Sequence, residues 1–409
     1  MKTSKIYYVI VALVVVFLYY CHGDKYLLNW HNIKSEHIFS FVIFLCFPFF
    51  TQKILVNKFL KNQLVLYCCL LILLFILYIP YSLMIGYFDS SYLFVQFINL
   101  LLLFFLAYIF SNDIFLRQVL RVLPYGVILA IILNIYDITR TANYFDMGEG
   151  RATFSILYGR AAGFYLDPNV SAISILFGLI ITYKIIHKKF RLIYFLIAGC
   201  GIILTLSLAG IFAYFVFIYL QFIHNKIKLK YIFFFISIFI LLSISIRPIL
   251  KNNAHYFGPG NSSRVMAILY PFDANLKTGS TSQRLVLLKN SVNNYLENPI
   301  FGGGIGKNIK IPTYESRDSR AGEFSGPHNQ WLAFMIDFGI LGIFYFAILF
   351  FVLRPTKLSA NRKEVVNFLI ILFIYSLFSH TLFKNHSLIF LLPLVYQLSK
   401  YHNYETKNG

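Results

Sequence analysis

The chain has 409 residues, 58% hydrophobic and only 13% charged, against about 25% charged in ordinary soluble domains. That inventory cannot clothe a water-facing globule. Its formal net charge of +20 would point a soluble protein toward nucleic acid, but in a chain this apolar the cytoplasmic flanks of membrane helices account for much of it, and no nucleic-acid partner is expected.

Taken in order, the chain begins with Lys2 and Lys5 ahead of an apolar run at 6–22. The later chain is equally apolar and no small-residue cleavage pattern follows, so the run reads as a first membrane span and not as a leader. Further hydrophobic segments fall at 38–52, 63–84, 91–110, 119–136, 170–186, 192–207, 209–223, 231–247, 331–353, 365–383 and 386–399. Several are long enough to cross about 30 Å of hydrocarbon; segments 38–52, 209–223 and 386–399 are short and fit either tilted spans or partly buried segments. With the N-terminus inside, the inside connections carry Lys53, Lys58 and Lys61, then Arg117 and Arg121, Lys184 to Arg191, Lys226 to Lys230, and Arg354 to Lys363. The turns near 85–90 and 205–210 have neither Lys nor Arg, as basic residues accumulating inside predicts. The expected fold is therefore all-α: a polytopic integral membrane protein of about 12 transmembrane helices. Helices 1–9 occupy 1–247 with a polar outside loop at 137–169, a large outside loop fills 248–330, and helices 10–12 with a cytoplasmic tail fill 331–409. Both termini fall on the cytoplasmic side. Cys46, Cys68, Cys69 and Cys200 lie inside apolar runs and Cys21 at the edge of one; they read as small hydrophobes. No cysteine or histidine cluster argues for a metal, and no cofactor is expected.

Loops as long as the two outside segments usually bind or gate. In the first, Arg160 sits in Gly159-Arg160-Ala161-Ala162-Gly163, followed by Asp167-Pro168-Asn169. In the second, Arg284 heads the run Gln283–Asn298, whose apolar residues at 285, 288, 292 and 296 and following Pro299 predict an amphipathic helix and its stop. Guanidinium groups bind phosphate oxygens in pairs and stay charged; an outside arginine can equally be a solvated loop residue or reach lipid headgroups. Arg151 and Arg264 are weaker candidates of the same kind, as are Arg317 and Arg320. The Gly302-Gly303-Gly304-Ile305-Gly306 stretch lacks the lysine and serine of a nucleotide loop and reads as a tight reversal returning the loop to the helices. Just before the tenth segment stands Gly326-Pro327-His328-Asn329-Gln330-Trp331, followed by Asp337, Gly339 and Gly342. If a helix begins near His328, the two glycines lie below the histidine on one face. The bland reading is close helix packing with Asn329 as cap. The functional reading is a histidine at the mouth of a cavity, able to take a proton from a hydroxyl. Asp337 lies roughly half a turn away in azimuth and is poorly placed to orient His328; it can cap a neighbouring segment or pair with a basic group.

These landmarks resemble the bacterial O-antigen ligase and polymerase superfamily, whose signature is His, then Asn, Ser or Gln, nine residues, Gly, two residues and Gly. His328-Asn329, Gln330 to Phe338, Gly339 and Gly342 match it. Arg284 with Glu297-Asn298-Pro299-Ile300-Phe301-Gly302 resembles the family's approach to its large periplasmic loop, and Arg160 to Asn169 its upstream arginine region; the likeness covers about 150–350. Many relatives carry Ser-Arg after the seventh span, where this chain has Ser207-Leu208. The resemblance implies an enzyme of the inner membrane with its site facing the periplasm. The donor would be a glycan on undecaprenyl pyrophosphate, and the acceptor a second lipid-linked glycan or lipid A-core. Arg160 and Arg284 would hold the diphosphate and His328 would activate the acceptor hydroxyl, with Asn329, Asn169, Arg151 and Arg264 as further substrate contacts. Membrane lipids, a flippase and a chain-length regulator are the other implied partners. The Arg160 to Asn169 context looks more like polymerases than ligases. A lipid or polysaccharide transporter is the alternative from another class, and a purely structural membrane protein the bland one.

Overall fold

The computed structural model describes residues 5–24, 27, 35–50, 53–139, 161–224, 279–312, 324–379 and 382–400. Fourteen α-helices succeed one another along these stretches: α1 Lys5–Val15, α2 Ser35–Phe50, α3 Lys53–Leu60, α4 Gln63–Met84, α5 Ser90–Ile109, α6 Asp113–Thr139, α7 Pro168–Thr182, α8 Arg191–Leu204, α9 Leu208–His224, α10 Gly279–Glu297, α11 Gln330–Phe338, α12 Ile340–Leu353, α13 Arg362–Phe378 and α14 His386–Lys400. A π-helical turn, Val16–Tyr20, continues α1. The strands described are β1 Ile311–Pro312 and β2 Phe324–Ser325, an antiparallel pair with Ile311 opposite Ser325.

Short polar side chains set where these helices start, by taking up backbone N–H groups that have no partner in the first turn. Asn62 accepts from Leu64 N–H at the head of α4, and Asp89 from Tyr92 N–H at the head of α5. Asn112 accepts from Ile114 and Phe115 at α6, and Asp167 from Asn169 at α7, where Pro168 fills the first helical position.

The all-α expectation holds apart from the two-residue strand pair, but the expected dozen spans does not. Among the described residues three helices are long and apolar enough to cross a membrane: Gln63–Met84, Ser90–Ile109 and Asp113–Asp137. Shorter apolar helices are Lys5–Tyr20, His37–Phe50, Pro168–Thr182, Leu208–Gln221 and Ile340–Leu353. Two physical causes account for the difference. Several apolar runs form helices that are buried and too short to cross: α7, buried at Pro168 and from Val170 to Thr182, and α14, buried from Ser387 to Ser399, have 15 residues each. The expected span 331–353 is instead two helices of 9 and 14 residues meeting at Gly339, each short of the ~20 residues that a crossing requires. The expected span 231–247 lies outside the described residues.

Contacts divide the chain into two compact units. The first holds 1–15, 41–120 and 280–409; within it α5 packs on α4 and α14, and α12 on α4, α11 and α14. Aromatic edges fill its interior, as where the Phe110 ring meets that of Phe390 at 5.3 Å. The second holds 16–40 and 121–279, with α7 packed against α8 and α9. There Tyr20 donates to the Ser174 carbonyl at 2.9 Å, and Tyr165 donates to the Tyr20 carbonyl at 2.9 Å.

Candidate active site

His328 does not open a helix. It adopts φ 49°, in the left-handed region that histidine visits more readily than most residues, and is half-buried. The helix starts two residues later: Asn329 is the cap of α11, its side chain accepting from Leu332 N–H at 3.0 Å. The next two side chains tie this turn down. Gln330 accepts from Leu382 N–H at 3.1 Å, and Trp331 donates through Nε1 to Ser376 Oγ at 2.8 Å while stacking on Phe350. One tetrapeptide thus supplies the turn, the cap, an anchor to the 382–384 turn and an anchor to α13.

The signature glycines act at the other end of α11. Gly339 has φ 61° and ψ −146°, a conformation essentially restricted to glycine, and it ends α11 and begins α12. A Cβ there would lie 2.1 Å from Ile300 O; at Gly342 it would lie 2.2 Å from Phe334 O. The first glycine admits the 300–302 segment, and the second lets α12 close on α11. Close approach is therefore their role, but along a broken helix and not beneath the histidine on one continuous face.

Into this break fits the glycine strap, the reversal expected from its sequence. Gly303 N–H donates to Ile336 O at 2.7 Å, Gly304 N–H to Asp337 O at 3.2 Å, and Ile340 N–H to Pro299 O at 3.0 Å. Three residues on one face of α4 hold the other side: Tyr78 donates to Phe338 O, Tyr81 donates to Gly302 O, and Ser82 Oγ accepts from Ile305 N–H. Asp337 is the strap's fixed point. Its Oδ1 accepts from Asn308 N–H at 2.9 Å, its Oδ2 accepts from Asn308 Nδ2, and Asn308 Nδ2 also reaches Tyr92 Oη at 3.1 Å.

Charge gathers around that point. Asp89 joins its cap to α5 with a donation from its own N–H to Ile305 O and an ion pair to Lys310 at 3.5 Å. Lys307 pairs with Glu297 at 3.6 Å, and the Lys307 and Lys310 ammonium groups lie over the Tyr87 ring. Lys384 lies over the Tyr92 ring at 5.2 Å. Burial pushes the Asp337 carboxyl up to about 7, while the Asn308 and Gly306 hydrogen bonds and the Lys384 charge pull it down. Burial lowers the Lys384 ammonium, opposed by Asp337 and Asp89. Sequence reasoning named neither Asn308 nor Lys384. The signal for Lys384 was legible, as a lone cation in the short connection between two apolar segments; Asn308 sits in a polar stretch with no pattern to single it out.

Arg284 lies in the first turns of α10, the amphipathic helix expected there, though its side chain is outside the described residues. The helix forms with a different face inward. Leu287 joins Ile311, Leu332 and Ile336 in a buried cluster against which Tyr295 packs, whereas Leu288, Val292 and Leu296, the expected inner stripe, are exposed, as are Ile300 and Phe301 beyond them. That cluster brings Leu287 of α10 together with Leu332 and Ile336 of α11, and the Ile340–Pro299 bond joins the segments that follow the two helices. Arg284 and His328 thus belong to neighbouring elements of one unit.

Arg160, Arg151 and Arg264 lie outside the described residues, as do Arg317 and Arg320. The residues just after Arg160 belong to the second unit. Ala161 N–H donates to Leu204 O at 3.1 Å, and the N–H groups of Ala162 and Gly163 both donate to Asp137 Oδ2, at 2.8 and 3.0 Å. Asn169 Oδ1 accepts from Ser207 Oγ at 2.9 Å, so the serine preceding Leu208 braces the arginine segment and also accepts from Gly210 N–H as α9 begins.

The stretch 193–347 matches the sequence profile of the family described as O-antigen ligase. This part of the chain is homologous to that family. No curated protein matches the chain. The O-antigen ligase match runs from α8 into α12, and so takes in Ser207, Arg284, the strap, Asn308, His328, Asn329, Asp337, Gly339 and Gly342. Arg160, Asn169, Asp89, Tyr92 and Lys384 fall outside it. The match covers less than half of the chain and links this stretch to the family described as O-antigen ligase; the apolar helices agree with association with a membrane.

Proposed function

We propose that the chain transfers a glycan from undecaprenyl pyrophosphate to the hydroxyl of an acceptor sugar at the periplasmic face of the inner membrane, inverting the anomeric centre. The observation that carries this reading is the His328 turn, which lies within the homologous stretch and is fixed by Asn329, Gln330 and Trp331 on the element beside the Arg284 helix. The acceptor oxygen attacks the anomeric carbon as His328 takes its proton. The bond from that carbon to the diphosphate oxygen breaks, and its electron pair leaves on the lipid diphosphate, whose charge Arg284 stabilises; Arg160 is a candidate donor contact of the second unit. Asn329, Asn169, Arg151 and Arg264 are further candidate substrate contacts. The exposed stripe Leu288, Val292, Leu296, Ile300 and Phe301 supports a lipid-side position for α10, next to a donor that is itself a lipid.

The acceptor divides two forms of this reaction. Elongation of one lipid-linked chain by another makes the protein a surface-polysaccharide polymerase, the form that the Arg160 to Asn169 context favours. Transfer to lipid A-core makes it a ligase, the activity that the matched family's description names. The test uses purified protein with membranes from cells lacking this chain, which supply its own donor and acceptor. His328→Ala is expected to reduce glycan transfer at least about 100-fold, within the range for a lost general base, with normal membrane insertion. Transfer that survives in His328→Ala removes the base role, and lipid movement without a new glycosidic bond returns the transporter reading.

A further inference from the structure

We propose that Asp337 and Asn308 form a positioning pair that sets the spacing of the Arg284 helix and the His328 turn; this rests on the reading of Arg284 and His328 as parts of one site. The two functional elements are neighbours only through what lies between them. From Arg284 the chain runs down α10, through Pro299 and the strap, to Asn308. From His328 it runs down α11 to Asp337, where both carboxylate oxygens accept from Asn308, one from the backbone and one from the side chain. The same asparagine reaches Tyr92 on α5, so the pair is held against a third element. Around it stand Gly303 and Gly304, bonded to the last carbonyls of α11, and the cluster of Leu287, Ile311, Leu332 and Ile336. The apolar cluster holds the helices together but is non-directional. The directional bonds at Asp337 and Asn308 fix how far one can slide along the other. A reaction that needs the diphosphate held by one element while the other takes a proton is sensitive to that slide, since an error of about 1 Å in such a placement can cost up to about 100-fold in rate.

The test is a swap read by kinetics. Asn308→Asp removes the amide donor and sets a second carboxyl group against Asp337, and is expected to lower kcat about 10-fold with donor KM within about twofold, because each element still binds while their registration is lost. Adding Asp337→Asn places an amide opposite the new carboxylate and is expected to bring kcat back to within about threefold of the parent, a coupling that separate, independent sites would not show. Thermal unfolding and the folded fraction are measured on the same samples. A fall in activity that merely tracks the folded fraction, or a double variant no better than Asn308→Asp, overturns the positioning role. Full activity in Arg284→Ala and His328→Ala overturns the underlying reading instead, and does so whatever the swap shows.

Discussion

Two buried aspartates, Asp137 in the second unit and Asp337 in the first, do the same work with different partners. Each lies near the end of a helix, and each carboxylate takes up backbone N–H groups from the segment next to a candidate arginine. Asp137 receives Ala162 and Gly163, just after Arg160; Asp337 receives Asn308, in the strap that comes after the Arg284 helix. The difference lies in depth. Around Asp337 the bonds branch to an asparagine side chain, a tyrosine and the Lys384 charge, whereas Asp137 Oδ2 takes up two backbone N–H groups in a unit that also holds the Asn134–Ser171 and Asn169–Ser207 pairs. A charged residue in an apolar segment invites a catalytic or transport reading. Here each pins a backbone segment, which gives both a structural role.

Glycine substitutions test whether the deeper region is also the stiffer one. Gly339→Ala adds strain at φ 61° and drives a Cβ into the backbone of Ile300, which cannot rotate away. It is expected to destabilise the protein by at least about 3 kcal/mol, the upper end for a forced backbone conformation, read as loss of folded protein after extraction. Gly163→Ala has φ 54° but meets first the Asn134 side-chain oxygen at 2.8 Å, which can move. About 1 kcal/mol is expected there. Equal effects would erase the contrast between the two regions.

How much of the molecule was legible in the sequence divides along the same line. The apolar runs within the described residues are helices, and the His328-Asn329 signature marks a real junction, because hydrophobicity and glycine leave local traces. The span count was not legible. A run such as 386–399 is equally apolar whatever the length of its helix, and α14, at 15 residues, falls short of the ~20 that a crossing requires. Nor was the inward face of α10 legible: leucine and valine at 288 and 292 outscore Ser291 in any hydrophobic pattern, yet Ser291 is buried because its hydroxyl returns to the Leu287 carbonyl. The break at Gly339 had its glycine in plain view, but its cause is the strap some 35 residues earlier, a partner that no periodicity reveals.

A smaller effect is expected at Asp137. Replacement by alanine leaves the N–H groups of Ala162 and Gly163 buried without their acceptor, which costs about 1–3 kcal/mol. Because it frees the segment after Arg160 directly, it is expected to raise donor KM more than it lowers kcat, the reverse of the Asn308→Asp pattern. Identical kinetic signatures from the two would show that the aspartates do not serve separate elements.

The last expected effect is on stability against pH, and its sign is set by the environment of Asp337. Burial raises this carboxyl from 3.8 to about 7, so between those values the folded chain holds a proton that the unfolded chain has released. Stability from this group therefore falls as pH rises through that window, and levels off above it. The facing charges, Lys384 and Asp89 among them, alter the steepness but keep the direction as long as burial dominates. Asp337→Asn removes the titration while leaving an oxygen for the Asn308 N–H. The melting temperature of the parent protein should then drop by a few degrees relative to Asp337→Asn between about pH 5 and pH 7. Parallel curves would mean that the carboxylate stays charged throughout, held by Asn308 and Lys384 against its burial, which would make the deeper region an electrostatic anchor and not only a hydrogen-bonded one.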